Sequence, residues 1–187
     1  MRGRPATFDN DKIIEKAQKV FWEKGYSATS MADLLKATGM GSGSFYNTFK
    51  GGKKELFKKA IQQRRNAFTT FKEQLEQSES PIELIKDFFK SVAVDSTNAH
   101  LQGCIIANTI TEMTFIDEEL EDEAIAVLKE VEKMYSHADG TIKNQTDAVI
   151  LGRYLITLWN GLNVTRRMYP DNKILQKQIE MQLEIIS

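Results

Sequence analysis

The residues best suited to chemistry in this chain are short, polar and bracketed by glycine. Gly41-Ser42-Gly43-Ser44 leads into Phe45, Tyr46, Asn47 and Phe49, so hydroxyls and an amide alternate with rings that a helix would bury. Hydroxyls and amides bond both phosphate oxygens and base edges, and glycine lets a backbone come close to what it reads. That chemistry is recognition of a nucleic acid. Upstream, Ser30-Met31-Ala32-Asp33 has the order of a weak capping box and Gly39 that of a helix stop, so residues 26–49 read as helix, tight turn, helix. Ala32, Leu35 and Met40 are then expected to pack inward, while Ser42, Ser44, Tyr46 and Asn47 stay outside, free to enter a major groove. The plain alternative is a helical hairpin with a glycine-rich turn, as found in many all-α domains.

Other chemistries find little support. The acidic run from Asp117 to Glu123 lacks the glycine and ligand spacing of a calcium loop and reads as favourable charge at a helix start. His100 and His137 have no Glu three residues before them, so the di-iron helix-bundle pattern is missing, and no zinc motif or nucleophile elbow occurs. The single cysteine, Cys104, rules out an intrachain disulfide and is expected as a small buried hydrophobe. No enzyme, metal or cofactor is implied.

Charge separates the chain into halves. Residues 1–66 hold 14 Lys and Arg against 6 Asp and Glu, a net of about +8, whereas residues 67–187 hold 11 against 20, a net of about −9. A basic head suited to a polyanion therefore precedes an acidic body, although the whole chain sums to only −1. No apolar run approaches the roughly 18 residues of a membrane helix, and residues 1–6 lack a signal peptide's apolar core. A cytoplasmic protein with no membrane partner is expected.

The positioning elements are all helical. With only Pro5, Pro81 and Pro170 and no sustained alternation, about nine helices are expected. Asn10 is the expected cap of a first helix with Ile13, Ile14, Ala17, Val20 and Phe21 on one side and Gly25 as its left-handed stop. After the two short helices, one long helix from about Lys53 to Gln77 runs from basic head to acidic body. Ser80-Pro81 starts the next, with Ile82, Ile85, Phe88, Phe89 and Val92 on one face. Further helices are expected near 103–115, 118–136, 145–168 and 171–186. The expected domains are a DNA-binding head, residues 1–52, and a helical body, residues 53–187.

The order Gly25-Tyr26, Thr29-Ser30 and Gly43-Ser44-Phe45-Tyr46 followed by Phe49 resembles the TetR/AcrR family of transcriptional regulators across about residues 8–60. Gly103-Cys104-Ile105-Ile106-Ala107-Asn108-Thr109 is similar to a pattern in the sixth helix of some members. The resemblance implies a three-helix head with a helix-turn-helix and a C-terminal effector-binding and dimerisation domain. It also implies phosphate contacts from Thr29, Tyr46 and Lys53 or Lys54, and base contacts from Ser42, Gly43, Ser44 and Asn47. Ser42 stands where such helices usually begin with Lys, and the turn Lys50-Gly51-Gly52 is one residue longer than usual. Ahead of the first helix, Arg2 and Arg4 are either a minor-groove arm or a disordered basic tail.

In the body, the helix from about 144 to 168 carries Ile150, Leu151, Tyr154, Leu155, Ile156, Leu158, Trp159, Leu162 and Val164, more apolar positions than one core can bury. The last helix shares the excess, so the two are expected to pair with their copies in a homodimer, with Gly152 and Gly161 allowing close backbones. Each of Phe68, Phe71, Phe88, Phe89, Met113, Phe115, Met134, Tyr154 and Trp159 taken singly reads as a packing residue, but as a group, with Asn108, Thr109, Glu112 and Asn163 as polar fixers, they are the expected lining of a small-molecule pocket. The function implied is a repressor released from a palindromic operator by an unidentified ligand. The alternative is a DNA-bound protein whose acidic body recruits a protein partner, and a helical-bundle enzyme comes third.

Overall fold

Helical spacing of apolar residues accounts for each element of a computed structural model that describes residues 9–94, 103–137 and 145–186. Among the described residues the order is α1 (Asn10–Lys24), α2 (Met31–Thr38), α3 (Ser42–Thr48), α4 (Gly52–Gln77), α5 (Pro81–Val94), α6 (Ile105–Met113), α7 (Glu118–His137), α8 (Gln145–Met168) and α9 (Asn172–Leu183), closed by a 3₁₀ turn, Glu184–Ile186. No strand occurs among them, so the all-α expectation holds.

The chain divides into two compact units, Met1–Asn66 and Ala67–Ser187, and the division falls within α4 rather than at residue 52. The cause is burial. Leu56, Phe57, Ala60 and Ile61 on the first turns of α4 belong to the core of the first unit, with Ile13, Ala17 and Phe21 of α1, Leu34 of α2, and Phe45 and Phe49. Gln18 Nε2 donates to the Ala60 carbonyl at 2.8 Å, and the Phe21 and Phe57 rings meet edge to face at 4.9 Å. Two local expectations need correction. Asp9, not Asn10, caps α1, its carboxylate accepting from the Lys12 amide at 3.4 Å. In α2, Leu34 and Thr38 face inward while Ala32 is exposed and Leu35 only half-buried, because helical phase places 34 and 38 one turn apart on the same face.

In the second unit each helix has one sealed face. Leu120, Ala124, Val127, Val131 and Met134 recur along α7, Leu155, Leu158, Trp159 and Leu162 along α8, and Leu175, Ile179 and Leu183 along α9. Helices α7 and α8 pack tightly at Gly152, where a side-chain carbon would collide with Ser136 Oγ and the Glu132 carbonyl. Gly152 therefore serves this chain's own core and not the interface between copies expected of it. Gly161 differs, since nothing lies within 4 Å of the space a Cβ would take. It shares the outer side of α8 with the exposed Ile150, Val164 and Met168, while Ile174 and Met181 are exposed on α9 and Ile185 on the turn after it. Cys104 is buried as expected.

Gly152→Ala should destabilise the second unit by about 1–3 kcal/mol, read as a lower urea midpoint by circular dichroism. An unchanged midpoint would mean that α7 and α8 do not approach so closely at this point.

Candidate nucleic-acid interface

The reading helix is assembled from its supports outward. Helix α1 ends at Gly25, whose amide donates to the Phe21 carbonyl at 2.8 Å, but with φ 81° and ψ 167° the glycine has an extended ψ and is not in the left-handed helical region expected of it, because the chain leaves α1 directly into the turn toward α2. The chain turns through Tyr26 to Thr29, with the Thr29 amide on the Tyr26 carbonyl at 3.2 Å. Helix α2 then opens on a reciprocal capping box. The Asp33 amide donates to Ser30 Oγ at 3.2 Å, and the Ser30 amide to Asp33 Oδ2 at 3.0 Å. Lys24 Nζ reaches Asp33 Oδ1 at 2.6 Å. The Lys24 bond, followed by those from Ser30, holds the Asp33 carboxyl well below the usual carboxylate range.

Gly39 closes α2 in the left-handed region, φ 71° and ψ 17°, as its position predicts. Thr38 Oγ1 donates to the Leu34 carbonyl at 2.7 Å, and Gly41 begins α3 without a side-chain cap. Phe45 and Phe49 are fully buried with ring centroids 5.3 Å apart, so one side of α3 is sealed. Ser42, Gly43, Ser44, Tyr46 and Asn47 are all exposed on the rest of it. Tyr46 is 49% exposed, its ring edge against Phe45 at 5.5 Å and its body thus steadied by the core. A Cβ added at Gly41 or Gly43 would meet nothing within 4 Å, so neither glycine is required by internal packing.

The other expected contacts fall differently. Thr29 is 1% exposed and its hydroxyl donates to the Gly25 carbonyl at 2.6 Å, so it orders the α1–α2 turn and offers no outward hydroxyl. Lys53 Nζ is engaged with the Tyr26 and Thr29 carbonyls, at 2.8 and 2.9 Å, and sits 4.3 Å from the centre of the Tyr26 ring. Lys54 is partly exposed beside it. Lys50, not singled out by its sequence context, is exposed in the turn directly after α3. Arg2 and Arg4 lie outside the described residues.

Within the second unit, a cavity of about 450 Å³ is lined by Thr69, Lys72, Leu75 and Glu76 of α4 and Glu130, Lys133 and Met134 of α7. Of the residues expected around a pocket, Met134 alone borders it. Phe71, Phe88, Phe89 and Trp159 instead pack on one another at 5.1–6.4 Å. Met113 is buried, Phe68 and Glu112 are half-buried, and Asn108 is exposed. Tyr154 donates to the Gln182 carbonyl at 2.6 Å, tying α8 to α9, and burial raises its pKa. Asn163 is buried, donating to the Trp159 carbonyl and accepting from Arg166 Nη2, both at 2.9 Å. No sequence pattern marks the cavity, because its lining is mostly charged or polar and spread over two helices, with Leu75 and Met134 its apolar members. Among the described residues no cluster of metal-ligating side chains occurs, and no helix is long and apolar enough to cross a membrane.

Fold and site together define an all-helical protein with a helix-turn-helix head and a separate helical second unit. Residues 13–60 match the family described as bacterial regulatory proteins, tetR family. The chain is 30% identical to the HTH-type transcriptional regulator YezE of Bacillus subtilis, across 98% of this chain and 99% of that protein. It is 36% identical to the HTH-type transcriptional repressor ComR of Escherichia coli over 60% of this chain, a match that spans only 55% of ComR. The same fold occurs in the TetR family regulator CifR, solved as a cysteine mutant with 26-base-pair operator DNA, with TM-score 0.80, 24% identity and coverage of 97% and 98%. The chain belongs to the TetR family of helix-turn-helix transcriptional regulators.

The capping box makes a pH-dependent prediction. Folding depresses the Asp33 pKa from 3.8, so its contribution is complete well above that value and fades as pH falls toward the folded-state value. Asp33→Asn should melt earlier than wild type at neutral pH, and the gap should begin to narrow only as pH falls below about 4. A gap independent of pH would show that the cap does not use the carboxylate charge.

Proposed function

We propose that this chain is a repressor that grips a palindromic operator as a homodimer and lets go when a small molecule occupies its second unit. The observation that carries the reading is the outer side of α3, where Ser42, Gly43, Ser44, Tyr46 and Asn47 are exposed together on a helix whose opposite side is sealed by Phe45 and Phe49. Glycine at 43 costs about 1 kcal/mol of helix propensity relative to Ala. With nothing packed against it, the benefit lies in close approach by an outside partner. Ser42, Gly43, Ser44 and Asn47 face bases in the major groove, and the Tyr46 phenol meets a phosphate. Lys50 and Lys54 supply charge beside that helix, and Arg2 and Arg4 reach the neighbouring minor groove.

Dimerisation uses the outer side of α8 and α9. Ile150, Val164, Met168, Ile174, Met181 and Ile185 are each 59–70% exposed, a repeated apolar surface of the kind that marks an interface. A twofold pair would read half-sites about 34–36 Å apart, or a multiple of that spacing. The effector enters the cavity between α4 and α7, whose volume of about 450 Å³ suits a small molecule. Its presence favours a ligand-released repressor over a recruiter of a protein partner. Four of its seven lining residues belong to α4, the helix that also begins beside α3, so occupancy acts on the head through α4. A coupling of about 1–3 kcal/mol changes operator affinity by roughly 5–150-fold. The protein works in the cytoplasm and catalyses no reaction.

Titration onto fragments of the host genome at several salt concentrations tests the reading directly. Sequence-selective, salt-sensitive binding that a cell-extract metabolite reverses supports it, and binding without sequence preference sinks it. Tyr46→Ala should weaken operator binding while the dimer stays intact by sedimentation velocity; unchanged affinity removes Tyr46 from the contact surface. Val164→Glu should shift the chain toward monomer and weaken operator binding with it, and a stable dimer would mean that the copies meet elsewhere.

A further inference from the structure

Lys53 occupies the second position of α4, where the helix dipole disfavours a cation. Its ammonium is nevertheless satisfied. It donates to the Tyr26 carbonyl at 2.8 Å and the Thr29 carbonyl at 2.9 Å, and lies 4.3 Å from the Tyr26 ring centre. Both carbonyls belong to the turn that hands α1 over to α2. Tyr26 is itself fixed, with its ring 4.8 Å from Phe57 of α4 and 6.2 Å from Phe21 of α1. The turn is closed from within by the Thr29 amide on the Tyr26 carbonyl and the Thr29 hydroxyl on the Gly25 carbonyl. One ammonium thus joins three elements: the end of α1, the entry to α2 and the start of α4. Helix α3 is joined to the same start, since the Gly52 amide donates to the Phe49 carbonyl at 2.9 Å.

We propose that Lys53 is a positioning residue that latches the α1–α2 turn to α4 and so sets the pose of the reading helix, and that it does not neutralise a DNA phosphate. Two of its three N–H donors are spent on carbonyls and the Tyr26 ring lies over the ammonium, so little of it is left to offer a phosphate. The proposal rests on the head being a DNA reader, and its test separates the two ideas.

A duplex selected by the full-length wild-type chain from a random-sequence pool serves as probe, and log affinity is followed against log salt for wild type and Lys53→Met. The variant binds about tenfold more weakly, the effect of losing one charge-assisted bond, and keeps the wild-type slope because no counterion-releasing contact has gone. A slope flatter by about 0.9 for each contact identifies a phosphate-binding lysine and overturns the proposal. In a second arm without DNA, Lys53→Met melts earlier and exchanges the amides of residues 26–33 faster. Unchanged melting and exchange overturn the latch, whatever the chain binds. If the wild type selects no duplex, the DNA-reading assignment fails while this second arm still decides the latch. Lys53→Gln, which keeps a neutral amide donor group, replaces the methionine variant if that does not fold.

Discussion

A helix of seven residues that begins without a side-chain cap and carries a glycine inside cannot offset its own nucleation cost, since isolated helices below about 12–15 residues are marginal even in good sequences. Helix α3 exists because Phe45 and Phe49 are driven completely out of water, each worth about 1.5–3 kcal/mol, onto a core already organised by α1, α2 and the start of α4. The rest of the head follows from that dependence. Gly39 must turn sharply enough to lay α3 on the core, Met40 must fill the space under the turn, and α4 must begin immediately to close it. With stability drawn mainly from the sealed side, Ser42, Gly43, Ser44 and Asn47 are left exposed, and Tyr46 keeps only its contact with the Phe45 ring. They are free to be chosen for what lies outside the protein.

The same dependence explains why the unit boundary does not coincide with the end of the helix-turn-helix pattern. The motif ends near residue 52, but the core needs Leu56, Phe57, Ala60 and Ile61, so about four turns of α4 are claimed by the first unit. The reversal of net charge after residue 66 tracks this packing boundary better than the motif does. Charge reflects a folded surface, whereas a motif reports only the stretch of chain that carries its pattern.

What could be read in advance follows how local each cause is. Gly39 as a left-handed stop and Pro81 as a helix start are decided by their own backbone geometry, and both stand as expected. Thr29, Ala32 and Leu34 are decided by which way a helix faces after it docks, and there the local pattern misleads: a threonine suited to a surface contact is sealed at 1% exposure. Gly152 and Gly161 look equivalent in sequence, and only a neighbour distinguishes a glycine that admits α7 from one with empty space beside it. The pocket is the extreme case. Aromatic side chains attract one another and fill space, so Phe71, Phe88, Phe89 and Trp159 close up, while the cavity opens where lysine and glutamate stems line two helices. A void has no residue of its own for a sequence to display.

Helix α3 bears no charged residue, yet the first 66 residues carry a net of about +8. Under the proposed function, affinity and readout therefore fall to different elements. The lysines of α1, the α3–α4 turn and α4 supply attraction that is indifferent to sequence and weakens with salt. In that reading the hydroxyls and amide of α3 add little pull of their own and serve to distinguish one base edge from another. Ser42, where the family resemblance leads one to expect lysine, carries this separation further in that reading. A reading helix without charge gains nothing from resting on the wrong sequence, because the attraction that holds it there comes from elsewhere and is the same everywhere along the duplex. In the proposed reading selectivity then depends on how accurately α3 is posed, and the contacts that hold it lie in the core and reach back through α4 to the α1–α2 turn.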